Sequence, residues 1–252
     1  MMMNNLCVAH RGFSSIAPEN TMAAFNMAME RPEVQWMELD VQLSRDGIPV
    51  VIHDFTLERT TNGKGPVKDM DWSALKQLDA GSWKGKNYTG ERIPSLSEVL
   101  DRSVGKVRLN IELKTQGDMY PGLPAAVIHE IRKRHMQHDV VITSFEPAAL
   151  VEVKKLAPEL QTGLIIDAKP GDLLVALKQM HCTFLSLGYT NVDKALMSEM
   201  NAAGIRVMAW TVDDKASMKK LAAIDPDVMI CTNRPDVWED AFQETSSRFF
   251  RP

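Results

Sequence analysis

The chain has 252 residues, 44% of them hydrophobic and 25% charged, with a formal charge of −4. That balance belongs to an ordinary globular protein and excludes a nucleic-acid binder, which would carry a basic stripe. No apolar run approaches the roughly 18 residues of a membrane span, and Met1 to Cys7 lacks the regions of an export signal. A cytoplasmic protein without stable membrane association is therefore expected. In chain order, β-branched apolar runs at 6–10, 36–43, 48–54, 108–114, 140–145, 162–167, 183–188, 206–212 and 228–232 read as strands. Helical patterns fill most of the gaps, at 20–31, 96–103, 122–136, 147–157, 171–180, 193–203 and 214–223. Pro18, Pro147 and Pro170 stand at or just before helix starts, and Gly204 follows a helix end, as helix-terminus chemistry prefers. A closing helix begins near 236, with Trp238 and Phe242 one turn apart. Residues 246–252 are expected to fray, and Arg248-Phe249-Phe250-Arg251 reads as surface rather than as a contact patch.

Strands alternating with helices of this length imply a parallel sheet, and enough repeats imply an α/β fold closed as a (β/α)8 TIM barrel, one domain over 1–252. Nine strands are one too many. Only Ser44-Arg45-Asp46-Gly47 joins 36–43 to 48–54, too little for a crossover helix but suited to a hairpin. With Leu43 opposite Ile48, Glu38 would face His53, and the return strand would be the ninth. A parallel third strand with an irregular connection is the alternative. Residues 55–95 break the alternation except for one short helical stretch near 72–78, and read as a small insertion over the C-terminal face of the barrel. They carry Leu75, Leu78, Trp83 and Tyr88, which need something to pack on. Three widely spaced cysteines, Cys7, Cys182 and Cys231, have no metal or redox spacing and read as reduced structural thiols.

Charge inside a buried barrel strand is costly without a partner. Here the strands carry His10-Arg11, Glu38 and Asp40, His53-Asp54, and Glu112 and Lys114, mostly at the C-terminal ends where barrel active sites gather. Glu38 and Asp40, two residues apart, share a face and would repel unless a cation lies between them. With Glu112 they make three hard oxygen ligands and no thiolate. That set suits Mg²⁺ or Ca²⁺ far better than zinc. One divalent cation is expected, Mg²⁺ being favoured, while the choice between the two rests on coordination number and cavity size, which the sequence does not set. An ion-pair network using Arg11 and Lys114 is the plainer account. Lys114 shares a face with Glu112, and with Arg11 and a metal it would make a pocket for phosphate. His10 and His53 are the candidate acid and base. His129, His135, His138 and His181 lack such company and read as surface or packing.

Ala9-His10-Arg11-Gly12, Ala17-Pro18-Glu19-Asn20-Thr21, Glu38-Leu39-Asp40-Val41 and His53-Asp54 together resemble the N-terminal half of glycerophosphodiester phosphodiesterases. The resemblance continues through Leu57-Glu58-Arg59-Thr60-Thr61-Asn62-Gly63, Asp79-Ala80-Gly81-Ser82-Trp83, Ile93-Pro94-Ser95-Leu96, Asn110-Ile111-Glu112-Leu113-Lys114, Ser144-Phe145 and Trp210-Thr211-Val212. It covers roughly residues 8 to 235 and looks most like the compact cytoplasmic members. It implies a barrel with an insertion after the His-Asp strand and a small glycerophosphodiester substrate. It further implies metal on Glu38, Asp40 and Glu112, acid–base work by His10 and His53, and phosphate on Arg11 and Lys114. By analogy with phospholipases C, the glycerol hydroxyl attacks phosphorus and a cyclic phosphate forms. His10 as base and His53 as acid follows the same analogy, with the reverse open. Phe145 and Trp210 are placed on the glycerol carbons, and Asn20 is a helix cap or a ligand. In Asp225-Pro226-Asp227-Val228-Met229-Ile230-Cys231-Thr232-Asn233-Arg234-Pro235 the chain departs from the family, which more often has Asp-Gly for Asp227-Val228 and often Asp for Asn233. The departure is expected to touch no residue with a catalytic role.

Two rival readings have discriminating features. A phospholipase D or sphingomyelinase D acting on intact lipid would want an exposed apolar or basic rim, and 55–95 shows no amphipathic stretch of that sort. A non-catalytic sensor of glycerophosphodiesters should have lost a histidine or a carboxylate, and all are present. Headgroup preference and oligomeric state are not set by the sequence.

Overall fold

The computed structural model describes residues 5–247, so the expectations for 248–252 lie outside the described residues. Among the described residues there are nine strands: β1 (Cys7–His10), β2 (Val34–Leu43), β3 (Pro49–Val51), β4 (Arg108–Leu113), β5 (Val140–Ser144), β6 (Gln161–Ile166), β7 (Phe184–Gly188), β8 (Arg206–Trp210) and β9 (Met229–Thr232). All except β3 pair in parallel, and β1 bonds both β2 and β9, which closes an eight-stranded barrel. The helices are α1 (Met22–Met29), α2 (Trp72–Leu75), α3 (Leu96–Ser103), α4 (Leu123–Lys133), α5 (Pro147–Leu156), α6 (Leu173–Gln179), α7 (Lys194–Ala202), α8 (Lys215–Ile224) and α9 (Pro235–Ser247). None of them is long and apolar enough to cross a membrane.

Local chemistry explains where these elements start. Thr21, Asp193 and Asp214 cap α1, α7 and α8 with side-chain oxygens, and Ser95 with Glu98 forms a full capping box on α3. Pro147 opens α5, where its missing N–H costs nothing. Alternate strand residues such as Met37, Leu39 and Val41 face outward into the helix layer. The opposite face fills the lower barrel with Val8, Trp36, Phe184, Met208 and Met229, the Trp36 and Phe184 ring centroids 6.3 Å apart. On β6, a Cβ at Gly163 would lie 2.7 Å from the Phe184 Cβ and 2.8 Å from its carbonyl oxygen, so only glycine lets β7 run this close. Cys7, Cys182 and Cys231 are free and buried. Burial pushes all three thiols up, as inert structural thiols require.

The ninth strand is the return of a hairpin. β3 runs antiparallel to β2, but the register differs by one residue from the expected one: Val41 faces Val51 and Leu43 faces Pro49. Glu38 therefore does not face His53. The turn sets the shift. The Ser44 N–H donates to the Ile48 carbonyl at 3.0 Å, which leaves a three-residue loop ending on Gly47 at φ +81°. Ser44 Oγ also accepts the Ile48 N–H at 2.9 Å. A one-residue slip would turn Val50 and Ile52, both buried, to the other face.

Between β3 and α3 the segment 55–95 makes its own apolar cluster with β3, including Leu57, Val67, Leu75, Ala80 and Ile93. Polar ties hold it to the loop after β1 and to α1. Lys84 Nζ donates to the Ser14 carbonyl at 2.7 Å, and Glu91 accepts the Ala23 N–H at 3.2 Å. Both tethers lie on the C-terminal side of β1, the end at which the polar strand residues gather.

Candidate active site

The first side chains of the site are delivered by an abrupt turn after β1. Arg11 and Asn20 both take left-handed backbone, at φ +55° and +58°, a conformation costly outside glycine. Gly12, at φ +79°, is obligatory, because a Cβ there would lie 2.6 Å from the Ala24 carbonyl carbon. The Asn20 N–H donates to the Arg11 carbonyl at 3.1 Å, clamping the two strained residues together. Arg11 is thereby folded onto three carboxylates. Its Nε lies 3.2 Å from Asp40 Oδ2, its Nη1 donates to Glu19 at 2.8 Å, and its backbone N–H donates to Glu38 at 3.1 Å.

Period-two alternation puts Glu38 and Asp40 on one face of β2, and the β2–β4 register sets Asp40 beside Glu112. One oxygen from each of the three lies within 4.8 Å of the others. All are buried, Asp40 completely. Burial, with Asp40 and Glu112 beside it, drives Glu38 well above the usual carboxylate range. Burial and Asp40 push Glu112 up to about 7 although Lys114 opposes them. Burial works the same way on Asp40, but Arg11, His53 and Lys114 outweigh it and hold that carboxyl low. Asn20 Nδ2 donates to Asp40 Oδ2 at 2.8 Å, so Asn20 supports the carboxylate while Thr21 caps the helix. Asp40 Oδ1 is buried with no hydrogen-bond partner among the described residues. An orphaned carboxylate oxygen among three mutually repelling carboxylates is the donor set of a hard divalent cation, and the residues fit one.

Two imidazoles flank this cluster. His10 Nε2 is 3.8 Å from Glu38, and its Nδ1 is 2.8 Å from Asn233 Oδ1. Burial first and Arg11 second bring His10 down to about 4. His53 Nδ1 lies 2.6 Å from Asp54 Oδ1, and its Nε2 is 3.3 Å from Lys114 Nζ. Lys114 also pairs with Glu112 at 3.0 Å and lies 5.7 Å above the Phe145 ring, which meets Trp210 edge-on at 5.8 Å.

A cavity of about 120 Å³ connects these groups. Of the nine candidate residues, His10, Arg11, Glu38, His53, Glu112, Lys114, Phe145 and Trp210 line it. Asp40 is enclosed beside Glu38. Below them Asn110, Ser186 and Met208 continue the lining. Four further residues contribute to the site: Glu19, Arg59, Asn233 and Asp213. Glu19 bridges Arg11 and Arg59, and Arg59 also binds Asp54, with Nε donating to Oδ2 at 2.6 Å. Arg59 lowers both acids against the opposing effect of burial, helped by Arg11 at Glu19 and by His53 at Asp54. Glu19 and Arg59 both lie inside the matched motifs, so a signal for them was present. Asn233, set apart as a departure without catalytic contact, in fact bonds His10, and Asp213 bonds Asn233. That expectation is corrected: β9 closes the barrel against β1 and brings position 233 to the end of the His10 strand.

Across residues 10–237 the chain matches the profile of the glycerophosphoryl diester phosphodiesterase family. The chain belongs to this family. A glycerophosphodiester phosphodiesterase of Caldanaerobacter subterraneus is 40% identical over 235 residues, covering 93% of this chain and 96% of its own. One from Bacillus subtilis is 34% identical, covering 92% and 85%. Among solved structures, a phosphodiesterase of Oleispira antarctica in complex with the product sn-glycerol-3-phosphate superposes with a TM-score of 0.89 at 36% identity, covering 94% of this chain and 96% of that one. A glycerophosphodiester phosphodiesterase of Agrobacterium tumefaciens gives 0.80 at 31% identity, covering 94% and 99%. The phosphodiesterase family fold thus extends over nearly the whole of each partner, and the barrel described above is that fold.

Proposed function

We propose that the protein hydrolyses small glycerophosphodiesters to sn-glycerol 3-phosphate and an alcohol, acting in the cytoplasm with one divalent cation, Mg²⁺ in preference to Ca²⁺. The observation that carries this reading is the buried triad Glu38, Asp40 and Glu112, with its orphaned Asp40 oxygen, set between two histidines. When bound there, the cation would draw negative charge from the phosphoryl oxygens and neutralise the triad.

The chain's own residues account for the rest. Arg11 and Lys114 line the cavity as fixed cations for the phosphate, and Phe145 with Trp210 forms an aromatic wall for the glycerol carbons. His10 takes the proton of the glycerol 2-hydroxyl as its oxygen attacks phosphorus. The bond from phosphorus to the headgroup oxygen breaks, and His53 gives that oxygen a proton. Water then opens the cyclic phosphate with the two histidines exchanging roles, which frees sn-glycerol 3-phosphate. Segment 55–95 is tied to the mouth of the barrel through Arg59 and Lys84.

The test is glycerol-3-phosphate release from glycerophosphocholine and glycerophosphoethanolamine, read by a coupled dehydrogenase with and without Mg²⁺ or Ca²⁺. Metal-dependent release from both is expected. No release with either metal would overturn the reading and send the enquiry to intact lysolipid.

A further inference from the structure

The two histidines differ in what holds them. His53 leans on a carboxylate, Asp54, whereas His10 leans on an amide, Asn233. An amide can present either its oxygen or its nitrogen, so something must decide which one His10 meets. Asp213 decides it. Asn233 Nδ2 lies 2.7 Å from Asp213 Oδ2, and an ionised carboxylate only accepts hydrogen bonds. The NH2 group must therefore face Asp213, which turns Oδ1 to His10. Asp213 is itself fixed, since its Oδ1 accepts the Asn233 backbone N–H at 2.8 Å and the Thr232 hydroxyl at 3.0 Å. Ser14 Oγ, 2.7 Å from Asn233 Oδ1, closes the arrangement from the β1 side.

We propose that Asn233, oriented by Asp213, is a positioning residue that fixes His10 with its proton on Nδ1 and its free lone pair on Nε2. The proposal rests on the phosphodiesterase reading and deepens it. The nitrogen left free is the one 3.8 Å from Glu38, on the metal-cluster side, where a base must receive the substrate's proton. This chooses between two assignments that the sequence left open and makes His10 the base of the first step. A second histidine held by a carboxylate suits the donor role, since an ionised partner stabilises an imidazolium.

The arrangement makes an unusual demand on substitution. In Asp213→Asn the Asn233 backbone N–H still requires an oxygen at Oδ1, so the new NH2 group falls opposite the NH2 group of Asn233. The Asn233 amide then flips and offers a donor to His10 Nδ1, which selects the other tautomer. In Asn233→Asp two carboxylates abut. In the double variant Asp213→Asn with Asn233→Asp, the amide donates to the carboxylate and the carboxylate accepts from His10, so the original pattern returns with the charge moved inward.

The test combines kinetics with nitrogen NMR on the Mg²⁺-loaded protein, in which the ¹⁵N shifts of His10 identify the unprotonated nitrogen. In the wild type Nε2 is expected to be that nitrogen. Asp213→Asn should move the lone pair toward Nδ1 and lower kcat roughly 10- to 100-fold, as loss of an outer-shell orienting partner does. KM for glycerophosphocholine should change by no more than about two-fold, because binding is untouched. The double variant should recover most of kcat and return the lone pair to Nε2. A wild-type spectrum with Nδ1 unprotonated would overturn the proposal even if Asp213→Asn folds poorly, and so would a double variant no better than either single one. A protein that releases no glycerol 3-phosphate would refute the phosphodiesterase reading, while the NMR would still decide the tautomer.

Discussion

Arg59 closes on both oxygens of Asp54, its Nε donating to Oδ2 at 2.6 Å and its Nη2 to Oδ1 at 2.9 Å. The same guanidinium reaches Glu19, which in turn holds Arg11. A residue of segment 55–95 therefore orients the partner of His53 and the partner of Arg11 together. Bidentate geometry gives this pair a direction that an ordinary surface ion pair lacks. Arg59→Ala is expected to lower kcat roughly ten-fold through a misplaced His53 while leaving the fold intact. Steady-state kinetics beside far-ultraviolet circular dichroism checks it, and an unchanged kcat would remove Arg59 from the positioning network.

His10→Ala and His53→Ala should each lower kcat by about 10²-fold or more, the usual contribution of acid–base catalysis. Both side chains line the same cavity, but neither supplies the acid triad, so Mg²⁺ binding should survive in each variant. Turnover assays at saturating Mg²⁺, with calorimetric titration of the metal, separate the two effects. Near-normal kcat in either variant would take that histidine out of the mechanism.

Dialysis against EDTA should abolish activity, and Mg²⁺ should restore it. Asp40→Asn should not be restored at Mg²⁺ concentrations that saturate the wild type. Asp40 is the most enclosed of the three carboxylates and carries the unpartnered oxygen, so an amide there loses a ligand charge where it counts most. Full activity in excess EDTA would sink the metal assignment.

The raised Glu112 carboxyl has a consequence for stability. Its folded value of about 7 stands above its ordinary 4.5, so the folded metal-free protein holds a proton that the unfolded chain releases. The stabilisation is fully present below pH 4.5 and is lost as pH rises through about 7. EDTA-treated protein should therefore show a falling Tm between pH 5 and pH 8 that Mg²⁺ suppresses, by neutralising the charges that make ionisation costly. Glu112→Gln should flatten the same stretch of the curve, since an amide does not titrate. Differential scanning calorimetry across that range measures it, and a slope equal in wild type and Glu112→Gln would show that the drop arises elsewhere.

The alternation of strands and helices, the charged residues at strand ends and the shared face of Glu38 with Asp40 were all legible in the chain itself. Side-chain direction within one strand depends on local periodicity alone, and a charge inside an apolar run is conspicuous wherever the run ends up. Arg59 was legible only as part of a motif, because nothing local tells an exposed arginine that it will meet Asp54. The hairpin between β2 and β3 was visible in its short connection, but its register depended on Gly47 and on the Ser44 hydroxyl taking the Ile48 N–H. Tertiary structure alone decided that Asn233 serves His10 across 223 positions of sequence. That contact exists because the eighth barrel strand returns beside the first. Ring closure is a property of the sum of all the strand pairings, and no window of sequence contains it.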